Sequence, residues 1–115
     1  MFDFEKLQVY QKSKNYHSEL AALATNKTFD KILSNQLKRA ALSIPLNIAE
    51  GTGRYTLADR RNFYVIARGS VFECAAIIDL LQTQKNITSE QKEYFYNLSE
   101  ELSKMLYSMI QRLKN

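Results

Sequence analysis

Apolar positions recur at helical spacing along the whole chain. Val9, Tyr16 and Leu23 lie seven apart, with Leu7, Tyr10, Leu20 and Ala24 on the flanks of the same stripe. This predicts a first helix from Phe4 to about Ala24. The polar Thr25-Asn26-Lys27-Thr28 stretch breaks the pattern, and Thr28 or Asp30 is the predicted cap of the second helix. From Phe29 the set Ile32/Leu33, Leu37, Ala40/Ala41, Ile44 and Ile48/Ala49 holds i, i+3, i+4 spacing until Gly51 and defines that helix. Pro45 lies inside it, where the ring removes the bond to the Ala41 carbonyl and costs ~3 kcal/mol in an ideal helix. Because the pattern runs straight across Pro45, a kink is expected rather than an end.

Gly51 suits the left-handed residue that closes a helix, and Gly53 adds a second permissive position to the corner Gly51-Thr52-Gly53-Arg54-Tyr55. Thr56 and Asp59 form a capping-box variant ahead of Phe63, Ile66/Ala67, Ser70/Val71, Cys74, Ile77/Ile78 and Leu81, a third helix reaching about Gln84. Gly69 in its middle costs ~1 kcal/mol relative to Ala. The expected compensation is a close approach by the small Ala40-Ala41 surface of the second helix. After Lys85-Asn86-Ile87, Thr88 and Gln91 make a strict capping box before Tyr94/Phe95, Leu98, Leu102, Met105/Leu106, Met109 and Leu113, the fourth helix. Long helices joined by short loops must reverse direction at each loop. The predicted fold is therefore all-α, an antiparallel up-down-up-down four-helix bundle forming one domain over residues 1–115. No run of alternating apolar and polar residues predicts a strand, and there is no internal repeat.

Composition agrees with a compact helical chain: 45% hydrophobic, 24% charged, three Gly and one Pro in 115 residues. No stretch approaches the roughly 18 uncharged apolar residues of a membrane span, and the start of the chain carries Asp3 and Glu5 instead of an apolar signal core. A cytoplasmic location with no membrane partner is the expectation.

The chemistry of known helical bundles is poorly represented. A di-iron carboxylate centre needs Glu-x-x-His on two helices; here His17 is the sole histidine and Lys14 stands at that spacing. Zinc needs three or four His, Cys or carboxylate ligands, whereas one His and one Cys, Cys74, lie on separate predicted helices. Gly51-x-Gly53 follows a helix instead of a strand and lacks the rest of a phosphate-binding motif. No Arg precedes His17 as in helical ribonucleases that pair the two, and Cys74 falls in an apolar stripe, where a thiol behaves as a small hydrophobe. The expectation is a non-enzyme with no cofactor, no metal and no small-molecule substrate.

Charge changes the picture by its placement. The net charge is +4, and residues 26–68 hold Lys27, Lys31, Lys38, Arg39, Arg54, Arg60, Arg61 and Arg68 against Asp30, Glu50 and Asp59. That segment carries the whole excess. Lys31 and Lys38 share a helix face, as do Arg61 and Arg68, while Arg54 and Arg60 sit at or near the corner. The candidate nucleic-acid-binding set is thus Lys31, Lys38, Arg39, Arg54, Arg60, Arg61 and Arg68, with Tyr55 and Tyr64 as rings for stacking on unpaired bases. The alternative is a solvated helix face whose charges Glu50 and Asp59 partly pair.

The run Gln36-Leu37-Lys38-Arg39-Ala40-Ala41-Leu42-Ser43-Ile44-Pro45-Leu46-Asn47-Ile48-Ala49-Glu50-Gly51-Thr52-Gly53-Arg54 closely resembles the signature of four-helix-bundle proteins encoded by intervening sequences in bacterial 23S ribosomal RNA genes. The likeness continues in Ile66-Ala67-Arg68-Gly69-Ser70, Glu73 and the opening Phe4-x-x-Leu7-x-Val9-Tyr10, where Tyr10 replaces the more usual Trp. It covers about Phe4 to Leu81 and a less distinctive last helix. The resemblance implies antiparallel bundles that often associate as ring-shaped homopentamers and whose molecular function is largely unassigned. A related branch, the accessory variability determinant of diversity-generating retroelements, is a basic pentamer that binds nucleic acid and a reverse transcriptase. The motif covers Arg39, Ser43, Asn47, Glu50, Gly51, Gly53, Arg54, Gly69, Ser70 and Glu73. Arg60, Arg61 and Arg68 fall outside it.

Pro45, Asn47, Glu50, Gly51, Gly53, Gly69 and Ser70 are read as structural, with Asn47 and Glu50 tying down backbone near the proline and the corner. Two functions then compete. One is a homo-oligomeric adaptor that holds RNA or DNA backbone on a basic flank; the other is a protein-protein scaffold whose charge only aids solubility. Phe2, Tyr94, Tyr96 and Ile110, which do not all fit one core stripe, favour the second.

Overall fold

The computed structural model describes residues 1–113; Lys114 and Asn115, included in the one-domain reading of residues 1–115, lie outside them. A 3₁₀ turn over Asp3–Lys6 leads into α1 (Gln8–Leu23), and α2 (Lys31–Thr52), α3 (Leu57–Thr83) and α4 (Ser89–Arg112) complete the chain order. Among the described residues there is no strand, and no helix is long and apolar enough to cross a membrane. Each helix packs on two others, α1 on α2 and α4, α3 on α2 and α4. The result is a four-helix bundle measuring 45 × 23 × 21 Å.

Three of the four α-helix starts obey capping chemistry. Asp30 caps α2 by accepting from the Ile32 and Leu33 amides, at 2.8 and 3.1 Å. Thr56 accepts from Asp59 N at the start of α3. Thr88 and Gln91 cap α4 reciprocally, and each such cap is worth about 1 kcal/mol. The first helix begins later than its apolar pattern predicts, because Leu7 is extended and separates the 3₁₀ turn from α1.

Glycine geometry departs from the sequence expectation. No described glycine has positive φ. Gly51 lies within α2, not beyond its end, and Gly53 closes the helix with φ −87°. The role of Gly51 is steric. A Cβ there would lie 2.7 Å from Phe63 Cβ, 3.1 Å from Tyr64 Cε1 and 3.3 Å from the Arg60 carbonyl, so α2 and α3 meet where only a hydrogen fits.

The expected contact of Gly69 with Ala40-Ala41 is absent, since a Cβ on Gly69 would meet nothing within 4 Å. At 100° per residue, α3 turns Ala67, Ser70 and Val71 inward instead. The same rotation buries Tyr64 and leaves Ile66 half exposed.

The one positive φ among the described residues falls on Lys85, at 63°. Its amide donates to the Gln82 carbonyl and the Asn86 amide to Leu81, the paired bonds of a Schellman stop.

The core draws Leu20, Leu37, Ile44, Ile48, Ile78, Leu81, Leu102 and Leu106 from all four helices, each under 3% exposed. Three hydroxyl contacts join its helices. Ser99 on α4 gives its single hydrogen to the Phe95 carbonyl, so Tyr16 on α1 is the donor in their 2.7 Å contact. Thr52 likewise donates to the Ile48 carbonyl and accepts from the Tyr64 phenol at 2.7 Å. Ser70 on α3 donates to Ser43 on α2 at 2.9 Å.

Burial raises the Tyr16 phenol above its ordinary range and pushes the Cys74 thiol up from 9.0 to about 12. At neutral pH Cys74 is a thiol in the core, with negligible thiolate for nucleophilic attack.

Gly51→Ala should destabilise the fold by about 1–3 kcal/mol through overpacking, while Gly69→Ala should stabilise it by up to ~1 kcal/mol; urea titrations with circular dichroism detection measure both. Lys85→Gly removes the left-handed penalty of a side chain, roughly 1 kcal/mol, and should raise the melting temperature. Folded Tyr16 and Cys74 hold their protons to higher pH than the unfolded chain does, so stability is complete below about pH 9 and declines as pH rises from the ordinary thiol value of 9.0 towards about 12. Urea midpoints across an alkaline pH series should show this decline, and Cys74→Val should delay its onset.

Candidate nucleic-acid interface

The α2–α3 corner is short and tied to itself. Thr52 ends α2, Gly53, Arg54 and Tyr55 make the turn, and Thr56 caps α3. Arg54 N donates to the Gly51 carbonyl at 3.1 Å. Its guanidinium reaches Glu50 at 3.1 Å and lies 4.6 Å from the centroid of the Phe63 ring. Arg60, one turn into α3, returns its Nε to the Arg54 carbonyl at 2.6 Å. Two of the corner's cations are therefore fixed in orientation, and Arg61 stands at the next position of α3.

The other candidate cations do not join them. Lys31 opens α2, about 30 Å along the helix from the corner. Arg39 borders a small polar notch between α2 and α3 with Gln36, Ser43, Ser70 and Glu73. Arg68 turns towards α4, donating to the Ser103 carbonyl at 3.1 Å and lying over the Phe72 and Tyr107 rings at 4.8 and 5.4 Å. Its charge helps hold α3 to α4. The seven basic residues, Lys38 among them, are distributed along the bundle, and Arg54, Arg60 and Arg61 are the ones gathered at one place.

The two candidate rings also separate. Tyr64 is buried with its phenol committed to Thr52, because the core stripe of α3 passes through it, so it offers no stacking surface. Tyr55 is fully exposed.

Of the residues read as structural, Asn47 donates to the Ser43 carbonyl and hydroxyl at 2.8 and 2.9 Å, and Ser70 joins that hydroxyl from α3. Glu50 anchors Arg54. Pro45 is buried inside an uninterrupted α2.

Sequence reasoning missed the pairs that hold α4. Lys12 meets Glu101 at 2.6 Å and Lys92 meets Asp79 at 2.8 Å. The hydrogen bond from Lys92 to Asp79 raises the lysine pKa. Tyr94 donates to Glu19 at 2.6 Å, which raises the phenol pKa. All lie at or near the surface, where a lone ion pair contributes about 0–1 kcal/mol, and only the opposite charges of the two ion pairs could have suggested them. Among the described residues no group of three or more His, Cys, Asp or Glu side chains is placed to hold a metal ion.

Comparison with known proteins gives the same family as the Gln36–Arg54 run. The model of the 23S rRNA-intervening sequence protein family matches residues 5–108, taking in α1, α2, α3 and most of α4. No curated protein matches the chain. Among solved structures it is similar to the 1.70 Å crystal structure of a protein of unknown function from the S23 ribosomal protein family of Bacteroides thetaiotaomicron. The two are 30% identical, with a TM-score of 0.83 over 89% of this chain and 97% of that one. With its sequence signature, its helices and its long family match in agreement, this protein belongs to the 23S rRNA-intervening sequence protein family.

Proposed function

We propose that this family member is a non-enzymatic adaptor that assembles with copies of itself and holds RNA or DNA by the phosphate backbone. The single observation behind this reading is the α2–α3 corner, where Arg54, Arg60 and Arg61 stand at a turn stiffened by its own hydrogen bonds. Cations already held in place lose less side-chain freedom when a phosphate arrives. The helices run antiparallel in this proposal, consistent with the pairings Asp79–Lys92 and Arg68–Ser103, in which numbers rise on α3 as they fall on α4. That register brings Arg112, near the end of α4, to the level of the first turn of α3. Pro45 would bend α2 by freeing the Ala41 carbonyl. Assembly into a ring, such as a pentamer, would repeat the cationic corner once per subunit.

A specific observation favours the scaffold reading as well. Val65, Phe72 and Tyr107 are about half exposed along the groove between α3 and α4, and Leu42 and Leu46 are similarly exposed on α2. Apolar surface of this kind is typical of protein-protein contacts.

Filter retention at low salt discriminates the readings. Binding of mixed cellular RNA should exceed that of an acidic control protein and fall as roughly the 0.7–0.9 power of salt concentration for each phosphate neutralised. Combined Arg54→Glu, Arg60→Glu and Arg61→Glu reversal should abolish retention and leave the subunit number by light scattering unchanged. Retention no better than the control leaves the scaffold.

A further inference from the structure

Six of the seven tyrosines have an internal partner. Tyr16 and Tyr64 are buried and donate to hydroxyls. Tyr94 donates to Glu19. Tyr10 packs edge-on against Phe4 at 4.8 Å. Tyr96 and Tyr107 lie under Lys92 and Arg68 at 5.1 and 5.4 Å. Tyr55 differs: its relative exposure is 101%, and among the described residues it makes no hydrogen bond or ring contact.

The backbone beneath that ring is not loose. Arg54 N bonds to the Gly51 carbonyl before it, Thr56 caps α3 after it, and the Arg60 guanidinium clasps the Arg54 carbonyl. A bare aromatic face is thus held at the tip of the bundle, next in sequence to Arg54 and within two turns of Arg60 and Arg61.

We propose that Tyr55 is a stacking platform for an unpaired nucleobase, so that single-stranded RNA or DNA, in preference to duplex, is the ligand of the corner. The inference rests on the nucleic-acid reading above. A phosphate drawn to Arg54, Arg60 or Arg61 leaves its base within reach of the ring only when that base is free of a complementary strand. A duplex hides its base faces inside the stack, so the ring gains nothing from it. Stacking also tolerates any base, because each has a π-face, so the corner needs no sequence preference.

Fluorescence anisotropy of the full chain on a short labelled RNA, alone and annealed to its complement, tests this. Tyr55→Ala should weaken single-strand binding about tenfold, leave duplex binding and the salt slope unchanged, and melt like the wild type because the ring supports no contact. Tyr55→Phe should bind single strands as the wild type does. Unchanged single-strand affinity in Tyr55→Ala, with binding still lost on reversing the three arginines, would overturn the stacking role and leave the charge reading standing. Absence of binding by the wild type to either RNA would overturn both. A lower subunit number for Tyr55→Ala in light scattering would assign the ring to contact between copies and also overturn the proposal.

Discussion

The fold turns on the crossing of α2 and α3, where Gly51 lets two helix backbones come closer than any side chain would permit. Phe63 and Tyr64 fill the space beside it, and from there the Tyr64 phenol reaches Thr52 while Phe63 supports Arg54. The tightness of the corner is a consequence of this packing, since helices that meet so closely at one end can be joined by a short turn. Arg54, lying over Phe63, and Arg60, bonded to the Arg54 carbonyl, are oriented beside the same contact. Gly51 thus links core packing to surface electrostatics without touching a ligand.

Most of the helical architecture can be read from residues with one physical role. Asp30, Thr56 and Thr88 are capping side chains set just before apolar repeats, and each caps the helix it precedes. What the chain hides is rotation. The stripe of α3 reads equally well through Phe63 and Ile66 or through Tyr64 and Ala67, because apolar residues sit at adjacent positions and spacing alone does not choose between them. The folded bundle takes the second, burying Tyr64 and Ala67. Tyr64 therefore leaves the candidate interface, and Gly69 faces away from Ala40. The left-handed stop at Lys85 was hidden for a related reason: glycine usually marks such sites, and here the paired Schellman bonds outweigh the strain of a side chain.

The candidate site was only half legible. Clustering of basic residues between positions 26 and 68 predicts an electropositive flank, yet helix length spreads those residues over a rod 45 Å long. Arg68 is drawn to the seam with α4 by a carbonyl and two rings, and two of those three partners, Ser103 and Tyr107, lie on α4, which its own sequence neighbourhood does not reveal. The corner triplet, close in sequence, is also close in space. Family membership fixes the scaffold and, within its motif, Arg54, whereas Arg60 and Arg61 are additions outside that motif.

The hydroxyl pairs between helices have a mechanical consequence. Apolar ridges alone allow one helix to slip along another by a turn, exchanging one leucine contact for the next. Tyr16 on Ser99, Ser43 on Ser70 and Tyr64 on Thr52 act as detents against such sliding. Axial displacement would break these pairs, at about 1–3 kcal/mol for a hydroxyl left buried and unpaired, as at the Tyr16–Ser99 contact. A rod notched in this way resists the sliding of one helix along its neighbour and keeps a single register.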